Sequence, residues 1–192
     1  MPVTLDATPG GPASNSYLTL AEGNTYFETR LHASVWDDSS EQEKALMMAT
    51  RVLDILVQPF KWLVTGTTVG TSFFKTRRQW TGTPATTTQK LAWPRKSMYD
   101  LNGNAIAVNV IPSALKEGTA ELAFQLLSAD RTLDSDVQSQ GITSLKAGSV
   151  AITFKDMVEA KVIPDAVWNL MPPSWFTDEQ IIAAVEAQFE VV

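Results

Sequence analysis

The sequence predicts a mainly α protein: a small helical bundle with a long Thr-rich loop or β-hairpin insertion, a short β-hairpin, and extended N- and C-terminal arms. Three observations carry that expectation. Apolar residues recur at helical spacing in several separate stretches. Ser/Thr-x-x-Glu/Gln capping boxes precede three of them. Between residues 61 and 88 the composition shifts to Thr, Gly and aromatic residues, which favour extended structure and turns. The expected domain organisation is an arm over 1–16, a body over 17–171 with the 61–88 insertion, and a second arm over 172–192.

The first 16 residues, rich in Gly and Pro, read as an extended arm with little to bury. Thr19 to Glu22 form a capping box, and Leu20, Phe27 and Leu31 continue it as a helix over about 20–33. A second box, Ser40 to Glu43, opens a helix over about 40–57 with Leu46, Ala49, Leu53 and Leu56 on one side and Pro59 as its stop. Ile111-Pro112-Ser113 opens a helix over about 112–129, with Leu115, Gly118, Leu122 and Leu126 inward. The alternation in GITSLKAGSVAITF, around Ala147-Gly148, predicts a hairpin. Pro164 starts a brief helix through about Leu170, which Met171-Pro172-Pro173 ends. A third box, Thr177 to Gln180, predicts a terminal helix with Ile181, Ile182, Val185 and Phe189 on one side.

Composition narrows the chemistry. The 192-residue chain is 44% apolar, enough for one sizeable core. It has no cysteine and a single histidine, His32, so disulfides, thiolate metal sites and His-pair metal sites are excluded within one chain. No apolar run reaches the roughly 20 residues of a bilayer span, and the N-terminus lacks a secretory pattern, so no membrane partner is expected. An intracellular setting fits.

No catalytic constellation emerges, and the chain is expected not to be an enzyme and to use no cofactor. Gly66 and Gly70 lack the Lys of a phosphate-binding loop. Asp134-Ser135-Asp136 begins like a calcium loop but has Ser139 and Leu145 at the sixth and twelfth positions. His32 beside Asp37 and Asp38 could be a general base; a helix-end imidazole is the favoured reading, with Asp37-Asp38 as a solvated lead-in to the next helix.

Net charge is −6, against nonspecific nucleic-acid binding by the whole surface. Charge is nevertheless segregated. From Lys61 to Lys96 there are seven bases (Lys61, Lys75, Arg77, Arg78, Lys90, Arg95, Lys96) and no acid. From Pro173 to Val192 there are four acids (Asp178, Glu179, Glu186, Glu190) and no base. The basic loop, with Lys75, Arg77, Arg78 and Trp80 as its candidate contacts, admits three readings: docking on an acidic protein surface, a solvated loop, or stacking and phosphate contacts with a nucleic acid. The stripe Trp175, Phe176, Ile181, Ile182, Val185 and Phe189 lies beyond the Pro-Pro break and is a candidate partner interface.

Three blocks carry a family resemblance. Asn15, Ser16, Tyr17, Trp36, Arg51, Leu53 and Asp54 form the first; Gln89, Leu91, Ala92, Trp93, Pro94 and Arg95 the second; Ile111-Pro112 with Asp130-Arg131 the third. Together they resemble the head-tail adaptor, or head-completion (connector), proteins of tailed bacteriophages, sequences that are also labelled DnaT-like single-stranded-DNA-binding proteins. The likeness covers about residues 15–171; residues 62–88 and the tail past Pro172 depart from it. It implies a ring, commonly of twelve copies, in the virion neck. That ring would touch the portal protein and a tail terminator or tail tube protein, let genomic DNA pass, and assemble in the host cytoplasm. The alternative implied is a single-stranded-DNA-binding protein using the basic, aromatic segment 61–96. On either reading Trp93, Pro94 and Arg95 are structural: Trp93 anchors the segment on the helices, and Arg95 pairs with a carboxylate of its own or a neighbouring subunit.

Overall fold

The computed structural model describes residues 3–56, 61–64, 71–76, 78–132, 144–147, 150–153, 161–177 and 181–185. It is mainly α with small sheets. Helix α1 (Leu20–Phe27) begins on the expected capping box: the Glu22 amide donates to Thr19 Oγ1 at 3.2 Å and the Thr19 amide to Glu22 Oε2 at 2.8 Å. It stops at Phe27 instead of running to 33. The inward stripe ends there, since Leu31 is exposed, and the chain must turn back so that Trp36 can cover the helix. His32 makes that turn at φ 60°, exposed and five residues beyond the helix, so it is not the helix-end imidazole expected.

Trp36 comes from the single turn α2 (Ser34–Asp37), which holds Asp37, with Asp38 as its C-cap. Its ring stacks on Phe27 at 4.4 Å, and its indole N–H donates to Asn24 Oδ1 at 3.0 Å. A Cβ on Gly23 would meet the Trp36 ring at 3.1 Å, so the glycine makes room for it.

Helix α3 (Gln42–Leu56) buries Ala45, Leu46, Ala49, Val52 and Leu53, the i, i+3/i+4 stripe that the sequence shows. Helix α4 (Ser113–Ser128), with Pro112 at its N-cap, lies against α3 and buries Leu115, Ala120, Leu122 and Ala123. Arg30 ties α1 to α4: its Nε and Nη2 donate to the two Glu121 oxygens at 2.6 and 3.1 Å, and its guanidinium lies 3.9 Å from the Phe124 ring centre.

The Thr-rich insertion is a β-hairpin and more. Strand β1 (Lys61–Val64) pairs antiparallel with β2 (Thr71–Thr76). β3 (Gln79–Trp80) and β4 (Thr83–Pro84) follow, and β4 pairs with β5 (Arg95–Lys96). The expected second hairpin forms as β6 (Ser144–Ala147) and β7 (Val150–Thr153). Helix α5 (Asp165–Trp168) starts at Pro164 as expected. The calcium-like Asp134-Ser135-Asp136 lies outside the described residues.

Neither arm stands free where it is described. Residues 3–16 fold onto the body. Asn15 Oδ1 accepts from the Asp6 amide at 2.8 Å, Asn15 Nδ2 donates to the Thr4 carbonyl at 2.9 Å, and the Lys90 amide donates to the Gly11 carbonyl at 3.2 Å. At the other end, Pro172-Pro173 does not act as a hinge. It leads into a 3₁₀ turn (Pro173–Trp175) and β8 (Phe176–Thr177), which pairs with β3. The expected terminal helix is instead strand β9 (Ile181–Val185), in register with β2 from Thr71↔Val185 to Lys75↔Ile181. Two Ile residues and a Val favour pleated structure, and β2 offers backbone partners that a lone helix lacks.

Candidate nucleic-acid interface

The segment Gln89–Arg95 is a scaffold built almost atom by atom from its own sequence. Trp93 is 1% exposed. It meets Trp80 edge-on at 5.6 Å and Trp175 at 4.9 Å. The Trp93–Pro94 peptide is cis. Gln89 braces the turn: its Nε2 donates to the Leu91 and Pro94 carbonyls at 2.8 and 3.0 Å, and its Oε1 accepts from the Thr86 amide at 2.9 Å.

Arg95 is also buried, and within its own chain its hydrogen bonds go to backbone carbonyls, where a carboxylate partner was expected. Its Nε donates to the Thr81 carbonyl at 2.7 Å, Nη1 to Ala92 at 3.0 Å and Nη2 to Gly82 at 2.9 Å. With a longer bond from Nη2 to the Trp80 carbonyl at 3.5 Å, the planar fork clips four backbone carbonyls, holding the β3–β4 turn against the Trp93 segment.

Behind this segment lies a buried carboxylate. Asp54, on α3, accepts from the Tyr17 hydroxyl and, at 3.1 Å, from the Ala92 amide. Burial pushes its pKa up to about 6, against the opposing pull of those two hydrogen bonds and of nearby Arg95. The Tyr17 hydroxyl is driven well above its ordinary value by burial and by Asp54. Asp54 thus joins the first and second sequence blocks.

The outer side of the segment is open. Thr83, Pro84, Thr86, Thr87, Gln89, Lys90, Leu91, Ala92 and Arg95 line a pocket of about 530 Å³ without one carboxylate among them. Lys90 is exposed at its wall, and Lys96, paired opposite Thr83 in the β4–β5 ladder, is exposed beside it. Asp6 approaches Lys90, but its carboxylate is held low chiefly by hydrogen bonds from Thr8, with Lys90 the smaller influence.

Three residues past Lys96, Tyr99 bridges to Ala105 at the base of a tight turn. Asp100 closes that turn: its Oδ1 accepts from the Asn102 and Asn104 amides, each at 2.8 Å, and Oδ2 from Asn104 Nδ2 at 3.0 Å. Those bonds hold Asp100 below the usual carboxylate range, the Asn104 side chain contributing most.

The other predicted contacts are differently placed. Arg78 lies 4.4 Å from the Trp168 ring centre and 5.5 Å from that of Phe176. Trp80, a candidate contact of the basic loop to a partner or DNA, is 7% exposed and belongs to the core. Lys75 sits in β2 opposite Trp62 and Ile181, and Arg77 lies outside the described residues. In the expected partner stripe, Trp175 is 2% exposed inside its own chain and Phe176 packs on Trp80 at 4.8 Å. Ile181, Ile182 and Val185 form β9, and Phe189 lies outside the described residues. The stripe is split because Trp175 packs against the buried Trp93 while Ile181–Val185 pair with β2. Tyr99 and the threonine-lined pocket went unnoticed in the sequence; the Asp-x-Asn-Gly-Asn turn after Tyr99 was the signal that this ring would stand at the surface.

Among the described residues, no group of three or more His, Asp or Glu side chains could hold a metal ion, and no helix is long and apolar enough to cross a membrane.

No curated protein and no solved structure matches the chain. A family model does, over residues 1–67 and 67–180, and it is described as "Putative DnaT-like ssDNA binding protein". That match overturns the head-tail adaptor assignment, and with it the connector, portal, tail and virion expectations; it favours the alternative reading. Covering nearly the whole sequence, it places this chain in the DnaT-like ssDNA binding protein family.

Proposed function

We propose that the chain binds single-stranded DNA, without catalysis, through the open side of the Thr83–Lys96 segment. The observation that carries this reading is the pocket with Lys90 and Arg95 in its lining and no carboxylate, on a chain whose net charge is −6. Local positive charge attracts phosphates while the remaining surface repels them, so binding concentrates at one site. Lys90 and Lys96 supply mobile cations to the phosphates. Thr83, Thr86 and Thr87 add hydroxyl donors, and the buried Arg95 holds the backbone that carries them. The family's description points the same way.

The reading predicts salt-sensitive binding to an unstructured oligothymidylate, measured by fluorescence anisotropy across a range of salt concentrations. Each neutralised phosphate contributes a slope of about −0.7 in log K against log salt for single strands. Replacing Lys90 and Lys96 together by Ala should weaken binding and flatten that slope by about 1.4. Absence of binding by the wild-type chain at low salt would overturn the reading. So would a double variant with an unchanged slope.

A further inference from the structure

We propose that Tyr99 is the base-stacking platform of this interface, taking one unpaired base on its ring while Lys96 holds a neighbouring phosphate; this rests on the single-stranded-DNA reading above.

Large aromatic rings are normally drawn into the core, and four of the chain's Trp rings obey that rule. Trp36, Trp93 and Trp175 are at most 2% exposed, and Trp80 is 7% exposed. Tyr99 is 54% exposed, against that rule. An exposed ring on a floppy loop would mean little. This one is mounted on fixed backbone. The Tyr99 carbonyl accepts from the buried Trp175 indole N–H at 2.7 Å, the Ile106 amide donates to the Met98 carbonyl at 2.9 Å, and the Asx-closed turn follows at once. A platform already held in place loses little freedom when a base settles on it, which is where a stacking contact gains its net affinity.

The charge around it fits the same occupant. Lys96 is exposed and three residues away, so its Cα lies within about 10 Å of that of Tyr99. The adjacent Asp100 carboxylate is occupied by three N–H donors within its own turn. The acid-free pocket continues on the far side of Lys96, across the β4–β5 pairing. Pocket, lysine and ring thus follow one another along the chain, the combination of cations and a π-face that unpaired nucleic acid takes regardless of sequence.

The test uses the full chain and two labelled probes of equal length and charge: oligothymidylate, and an oligomer with a run of abasic sites. Wild type should bind the base-bearing strand more tightly than the abasic one. Tyr99→Ala should weaken oligothymidylate binding roughly ten-fold, leave the abasic affinity unchanged, and so abolish the preference. Tyr99→Phe, which keeps the ring, should retain it; Tyr99→Leu, apolar without a π-face, should not. Because the ring is exposed, all three variants should unfold at wild-type urea concentrations. If wild type binds oligothymidylate and Tyr99→Ala matches it, the platform assignment is overturned while the function stands. If wild type binds neither probe, the function reading itself fails and takes this inference with it.

Discussion

At the scale of single residues, Asp54 carries the most consequential physics. It is a carboxyl group placed where its charged form is disfavoured, yet it accepts hydrogen bonds from Tyr17 and Ala92 that a neutral apolar residue could not. Its pKa of about 6 in the folded chain lies above the 3.8 expected when exposed. A carboxyl group raised on folding holds its proton more tightly in the native state. Its contribution to stability is therefore full below about pH 4 and is lost as pH rises through 6. The gap corresponds to at most about 3 kcal/mol. Asp6, Glu22, Asp100 and Asp130 shift the other way, so the whole-protein pH curve mixes opposing contributions. A difference isolates the one. The unfolding free energy of wild type minus that of Asp54→Asn, from urea titrations, should fall by up to about 3 kcal/mol between pH 4 and pH 7. Parallel curves would show that Asp54 ionises as it would in water.

At the scale of elements, the β3–β4 turn and β5 meet in a close seam. Gly82 sits there at φ 66°, and a Cβ on it would lie 2.3 Å from the Lys96 carbonyl oxygen and 2.8 Å from Met98 Sδ. Gly103, at φ 81°, has nothing within 4 Å of the same position. Both glycines adopt left-handed backbone, but only one is hemmed in by main chain. Gly103→Ala should cost about 1–2 kcal/mol, the conformational penalty alone. Gly82→Ala should cost more, by about 1–3 kcal/mol, because β5 must shift. Equal losses in urea unfolding would mean that the seam is loose. The elements also show what was legible in advance. Thr19-Glu22 and the α3 and α4 stripes were readable because capping and 3.6-residue periodicity are local properties. The terminal segment was misread because Ile181, Ile182 and Val185 satisfy a helical stripe and a strand alike. The deciding term, backbone pairing with β2 more than a hundred residues earlier, is invisible to local reading. Trp80 and Arg95 failed likewise: nothing in RRQW or WPR tells that the ring turns inward or that the guanidinium meets carbonyls.

At the scale of the whole molecule, the last described strands of the chain meet its basic middle. The sequence suggested that a basic middle and an acidic tail serve docking between subunits or partners. The fold joins β3 to β8 and β2 to β9, so residues 176–177 and 181–185 are stitched to the basic segment by backbone hydrogen bonds. This changes what removal of the tail should do. A free arm beyond Pro172 could be cut without harm to the body. Here the cut removes Trp175, which packs on Trp93 at 4.9 Å, donates to the Tyr99 carbonyl, and accepts through its own carbonyl from the Thr81 amide at 2.8 Å. It also removes Phe176 from between Trp80 and Trp168. Losing one buried Trp side chain costs about 3–5 kcal/mol, and a domain's whole stability is only about 5–15 kcal/mol. A chain ending at Met171 should therefore lose most of its cooperative urea transition and expose Trp93 and Trp80 to fluorescence quenchers. A chain ending at Thr177 keeps Trp175 and Phe176, gives up β9, and should unfold cooperatively with its Trp residues still protected. The comparison separates a tail that closes the core from one that merely trails from it, since equal stability of the two truncated chains is incompatible with the packing of Trp175 against Trp93.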